Sequence, residues 1–171
     1  MTQYNLRELM GFVPQKAVLF SGTIRDNMQY GKPDATDEMI WKALEIAQAK
    51  DFVSEMEDGL DSHVEQGGGQ RQRLAIARAL VKTADIYVFD DSFSALDFKT
   101  DANLRQALKT NMKESITVLV AQRVSTVMDA DMILVLDEGK LVGKGTHEEL
   151  LATNETYQEI VHSQLREEDL A

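Results

Sequence analysis

The chain has 171 residues, of which 29 are acidic and 18 basic, for a net charge of −11. That balance argues against nucleic acid or an anionic membrane surface as a partner through charge alone. The absence of cysteine rules out disulfides, thiolate metal sites and a cysteine nucleophile.

No apolar run reaches the roughly 20 residues of a membrane helix, and the first residues do not read as a signal peptide. The length suits one domain, with a lobe at most. Met1 to Glu8 are polar and carry little structural signal, and residues 1–10 are expected to fray. Gly11-Phe12-Val13-Pro14-Gln15 reads as a short strand stopped by proline, with Gln15 at its exit. A short helix is expected to start near Ser21 to Thr23 and to bury Ile24 and Met28. Thr36 can cap the next helix, with Asp37 and Glu38 in its first turn. Met39, Ile40, Ala43, Leu44 and Ala47 recur at intervals of three and four, so this stripe faces a core. Asp51 to Met56 gives a second short helix, followed by a turn at Gly59 and a polar link from Asp61 to Gln66.

Gly67, Gly68 and Gly69 open a helical run, Gln70 to Lys82, with a broad apolar face from Leu74, Ile76, Ala77, Leu80 and Val81. Ile86-Tyr87-Val88-Phe89 is a continuous apolar run of the kind found in a parallel strand covered on both faces. Asp90 and Asp91 follow at its carboxyl end. Ligands of open α/β sheets bind beyond the carboxyl ends of the strands, and adjacent carboxylates there suit magnesium and phosphate. Thr100 to Met112 reads as a helix with Leu104, Ala107 and Leu108 inward. Ile116 to Ala121 is a second buried strand, ending at Gln122-Arg123. Val124 to Asp129 is a short helix and Met132 to Leu136 a third strand, with a turn at Asp137-Glu138-Gly139-Lys140 into Leu141-Val142-Gly143. Thr146 caps a helix with Glu148 or Glu149 completing a capping box. Asn154 to Arg166 is the last helix, and residues 166–171 are expected to fray. His147 belongs to the helix start rather than to a metal site.

Several of these stretches, taken together, resemble the nucleotide-binding domain of ABC transporters. GGGQRQRLAIARAL (67–80) resembles the end of the family signature and its helix, IYVFDD (86–91) the Walker B strand, and Ser94-Ala95-Leu96-Asp97 the D-loop. Pro14-Gln15 followed by VLFSGTIRDNMQYG (18–31) is similar to the exporter branch, as is VLDEGKLVGKGTHEELL (135–151). The resemblance covers residues 11–165. It implies an α/β, P-loop NTPase-like (RecA-like) parallel-sheet core, incomplete, with an α-helical subdomain. The helical subdomain would span about 16–81 and the Walker B half of the core about 82–165.

The resemblance also implies ATP and magnesium as ligands. Asp90 would hold the metal through water, Asp91 would stand at the attacking-water position, and Gln15 would take a metal and coupling role. Gln122 would meet the γ-phosphate, Asp97 would make a dimer contact, and Gly67, Gly68, Gly69 and Gln70 would be a signature remnant acting on the opposite subunit. Implied partners are transmembrane domains and a second nucleotide-binding domain, at the cytoplasmic face of a membrane, with no membrane insertion by this chain.

Four departures from the family pattern shape the expectation. No G-x-x-x-x-G-K-[ST] phosphate loop occurs in the sequence. Gln66-Gly67-Gly68-Gly69-Gln70 runs straight through where relatives have several more residues, including the signature serine. Asp91 replaces the catalytic glutamate, leaving its carboxylate short by about 1.5 Å, and misplacement of that order can cost about a hundredfold in rate. Gln122 replaces the switch histidine and carries no positive charge. Asp and Gln at these two positions resemble the degenerate protomer of heterodimeric exporters. The missing loop and front resemble a deletion and a truncated or internally started frame. The expectation is an exporter ATP-binding domain, impaired in this chain. A non-catalytic interaction protein is the alternative, and a soluble ATPase of the repair or translation branch is disfavoured by LFSGTIRDNM (19–28) and GTHEELL (145–151).

Overall fold

The computed structural model describes residues 2–64 and 67–168, with side chains up to residue 164. Glu65 and Gln66, which end the expected polar link, and of which Gln66 also opens the expected signature gap, lie outside the described residues, as do 169–171. The chain divides into two units, Met1–Val120 and Ala121–Ala171.

The first unit opens with helix α1 (Gln3–Glu8), where fraying was expected. Thr2 caps it, its hydroxyl accepting from the Asn5 amide at 3.2 Å. Strand β1 (Met10–Val13) follows, then α2 (Ile24–Gly31), α3 (Asp37–Ile46), α4 (Lys50–Ser54) and a short 3-10 turn, Gly59–Asp61. Long α5 (Gly68–Val81) leads into β2 (Ile86–Asp90), α6 (Phe98–Asn111) and β3 (Ile116–Val120). The helix expected to start near Ser21 to Thr23 is capped by Thr23 in a capping box with Asp26, and Thr36 caps α3 as expected. Ile24, Met28, Ile40 and Leu44 are fully buried. Together with Leu74 and Ile76 of α5 they form the main core. Helices α2 and α5 meet closely, because a Cβ on Gly31 would stand 2.5 Å from the Arg78 carbonyl oxygen.

The sheet runs β1-β2-β3, all parallel, with Val13 beside Phe89 beside Leu119 and Phe12 beside Val88 beside Val118. Lateral neighbours share a face. One face, carrying Val13, Tyr87 and Phe89, is buried in the main core. The opposite face is open: Phe12 is 56% exposed, Ile116 63%, Val118 43% and Val120 52%. This corrects two expectations. β2 is covered on one face only, and β3 is largely exposed rather than buried. Their apolar runs fit a doubly covered sheet, but among the described residues only one face has a cover.

The second unit contains α7 (Val124–Val127), β4 (Ile133–Asp137), β5 (Lys140–Gly145), α8 (His147–Thr153) and α9 (Glu155–Glu168). β4 and β5 form an antiparallel hairpin whose turn residues, Glu138 and Gly139, take φ of 46° and 76°. Positive φ at both positions is what a two-residue turn matching strand twist requires. Thr146 and Glu149 make the expected capping box on α8. Ile133, Val135, Leu150 and Tyr157 form a small core. The His147 Nδ1 lies 2.8 Å from the Tyr157 hydroxyl, so this histidine is held by α9. No helix among the described residues is long and apolar enough to cross a membrane.

Candidate functional site

Parallel pairing of β1 and β2 brings two chain exits together at one end of the sheet. Gln15 lies just beyond β1, and Asp90 and Asp91 close β2. The Gln15 Nε2 donates to Asp91 Oδ2 at 3.0 Å across 76 positions of sequence. Asp91 is 9% exposed and adopts φ of 46°, a left-handed backbone unusual for a residue with a side chain. Its amide still donates to the Val120 carbonyl at 2.7 Å, so the turn begins one residue after the ladder with β3.

Two serines lace this turn. Ser92 Oγ donates to the Val13 carbonyl at 2.9 Å, tying the ends of β2 and β1 together. Ser94 Oγ donates to the Asp91 carbonyl, also at 2.9 Å. Ser92 carried no expectation from the sequence, and Ser94 entered only as the first residue of the D-loop stretch. The available signal was a pair of hydroxyls spaced to bond local backbone after the acidic pair.

Asp97 ends the loop as the N-cap of α6. Its Oδ1 accepts from the Thr100 amide at 2.9 Å and its Oδ2 from the Thr100 hydroxyl at 2.7 Å. These bonds hold its carboxyl below the usual carboxylate range. A structural duty therefore accompanies the dimer contact expected for this residue.

Helix α5 begins beside the same loop, since a Cβ on Gly69 would stand 3.4 Å from the Ala95 carbonyl oxygen. Its N-cap, Gly67, offers no side-chain hydrogen bond, and Gly67 and Gly68 are exposed. First-turn amides of a 14-residue helix without a side-chain cap are donors suited to an anion. Arg73 anchors this end by donating to the Gln48 carbonyl at 2.7 Å, with its guanidinium 4.8 Å from the centre of the Phe52 ring. Gln15, Asp90, Asp91, Asp97 and Gly67 to Gln70 thus all belong to the first unit.

Gln122 belongs to the second unit, where it precedes α7. Its carbonyl accepts from Gln164 Nε2 at 2.5 Å, while Gln164 Oε1 accepts from the Val124 amide at 2.7 Å. Gln164 was not chosen from sequence.

Magnesium in phosphate-transfer sites takes one or two carboxylates, with phosphate and water completing the shell. Asp90, Asp91 and the Gln15 amide are an oxygen-rich set at a strand end and fit that partial role. Among the described residues no group of three His, Cys, Asp or Glu forms a self-sufficient metal site. The sequence contains no G-x-x-x-x-G-K-[ST] phosphate loop.

The profile of the ABC transporter family matches residues 2–94. An uncharacterized ABC transporter ATP-binding protein of Mycobacterium bovis is 49% identical over 163 residues, covering 91% of this chain and 28% of that protein. A multidrug resistance ABC transporter ATP-binding and permease protein of Lactococcus lactis subsp. lactis is 42% identical over 167 residues, covering 94% of this chain and 28% of that protein. Among solved structures, a bacterial Atm1-family ABC exporter with ATP bound superposes with a TM-score of 0.92 at 38% identity, over 96% of this chain and 30% of that one. The chain thus spans less than a third of the length of these relatives. It belongs to the ABC transporter family, as ATP-binding-domain sequence of the exporter type with the P-loop NTPase fold.

Proposed function

We propose that this chain supplies the magnesium and water side of one ATP site in a heterodimeric ABC exporter, in the protomer whose own site turns over slowly or not at all. The observation that carries the reading is the Gln15–Asp91 hydrogen bond at the adjoining ends of β1 and β2. It unites the glutamine of one motif with the carboxylate of another. In this reading Asp90 holds the metal through water, Asp91 orients the attacking water, and Gln15 links the metal to the transmembrane domains. Gln122 meets the γ-phosphate, Asp97 contacts the second nucleotide-binding domain, and the first amides of α5 act on nucleotide held by that partner. Bound magnesium would neutralise phosphate charge at the strand ends. Asp91, one methylene shorter than glutamate and tied by Gln15, is poorly placed as a base.

The surface for transmembrane domains is proposed on the helical subdomain, where Val18, Phe20 and Tyr30 are 57%, 43% and 69% exposed. The Phe20 and Tyr30 rings lie 4.2 Å apart, and Arg78 fixes the segment by donating to the Val18 carbonyl at 2.8 Å. In this reading the assembled chain lies at the cytoplasmic face of a membrane.

The experiment concerns the shortened signature. In a heterodimer, each signature faces the partner's phosphate loop, so this chain's gap harms the site that turns over. A full-length half-exporter carrying the Gly67–Gln70 loop, paired with its normal partner, should lose ATPase activity by about a hundred- to a thousandfold, as when preorganised donors to developing charge are removed. Restoring the absent residues with their serine should recover the rate with Asp91 and Gln122 unchanged. Turnover of the gapped pair at the ungapped rate would overturn the reading.

A further inference from the structure

We propose that Gln164 on α9 is a positioning residue that sets the backbone of the switch position, Gln122. The functional consequence rests on the reading of Gln122 given above, but the clamp itself does not. α7 has four residues, and its N-cap, Arg123, gives no side-chain cap bond. A helix this short does not hold itself together in water. Its first amide, Val124 N–H, is one of the donors that a helix start leaves without an intrahelical partner. Gln164 Oε1 takes that amide at 2.7 Å, doing the work of a cap from 40 residues away. The other end of the same planar amide donates to the Gln122 carbonyl at 2.5 Å.

One side chain therefore grips the peptide units on both sides of Arg123, which fixes the direction in which the chain leaves residue 122. Gln164 is itself held. It continues the stripe Tyr157, Val161, Gln164 along α9, and the first two members pack in the small core of this unit. The last helix thus acts directly on the switch position through hydrogen bonds from one residue. Glutamine suits the task because it alone, with asparagine, presents an acceptor and a donor in one rigid fork.

The experiment uses this chain and needs no nucleotide, so it succeeds or fails independently of the functional reading. Amide hydrogen exchange and backbone carbonyl carbon shifts would be followed by NMR in wild type, Gln164→Leu and Gln164→Glu. Gln164→Leu loses both bonds. Val124 N–H should then exchange roughly five- to tenfold faster, the worth of one hydrogen bond, and the Gln122 carbonyl carbon signal should move towards that of a carbonyl without this donor. Gln164→Glu keeps the acceptor and loses the donor, so Val124 protection should survive while the Gln122 carbonyl carbon signal still shifts. Amides of the β4–β5 ladder should be unaffected in both variants. Unchanged Val124 exchange in Gln164→Leu overturns the proposal. So does a parallel rise across the ladder in both variants, which would make Gln164 a general support of the unit.

Discussion

Asp91 takes a backbone conformation that carbon-branched side chains avoid, and it does so next to the group it must face. Aspartate and asparagine tolerate the left-handed region because a short polar side chain bonds locally. Asp91→Asn retains an oxygen to accept from Gln15 and should shift stability by less than about 0.5 kcal/mol. Asp91→Val combines positive φ with a branched side chain and the loss of that acceptor, and should cost about 1–3 kcal/mol. Thermal midpoints followed by circular dichroism would rank the two variants, and equal midpoints would refute the strain argument. Asp97 gives a pH-dependent counterpart. Its bonds from the Thr100 hydroxyl and amide depress its folded-state pKa, so its contribution is fully present above the unfolded value, about 3.9. That contribution drains away as pH falls through the lower folded value. The gap in thermal midpoint between wild type and Asp97→Ala should therefore be widest near neutrality and close in strong acid. A gap that persists unchanged there would assign the effect to packing.

At the level of elements, close approach and capping decide what holds together. A side chain on Gly31 would meet a backbone carbonyl, which cannot rotate away, so Gly31→Val should force α2 from α5 and cost about 1–3 kcal/mol. Gly67→Ala is the control, because nothing stands within 4 Å of its added Cβ. Comparable melting of the two variants would deny the α2–α5 contact its importance. The helices capped by Thr23, Thr36 and Thr146 were legible in the sequence because caps are local chemistry. α1 was not, since its six residues bury nothing and show no periodic stripe. β3 was misread for a different reason: Ile116 to Val120 is apolar whether or not these residues cover it. Gln15 and Asp91 were each legible by resemblance to a motif, but their mutual hydrogen bond arises only when β1 and β2 pair. Gln164 gave no motif at all, because its role depends on where α9 meets the start of α7.

For the whole molecule, the open sheet face and the absent phosphate loop lead to linked expectations. Phe12, Ile116, Val118 and Val120 present apolar surface on a sheet in which β3 is an edge strand, a combination that favours association between chains. The isolated chain should bind a hydrophobic dye and self-associate, and Val118→Lys should reduce both; a dispersed monomer with a single cooperative melt would count against this. Nucleotide binding is the stricter test. In phosphate-transfer sites of this class the loop amides and lysine make most of the phosphate contacts, while strand-end carboxylates act on the metal. This chain has the second set and not the first, and its carboxylates without phosphate repel the ligand they would serve. Titration calorimetry of the purified chain with ATP and magnesium should therefore show no binding in the micromolar range. By the same reasoning, Asp91→Glu lengthens the base but adds nothing to hold the substrate, so phosphate release should remain at background. Micromolar affinity in the wild-type chain, or turnover in that variant, would mean that the phosphates find a cradle other than the missing loop, with the first-turn amides of α5 the donors to examine next.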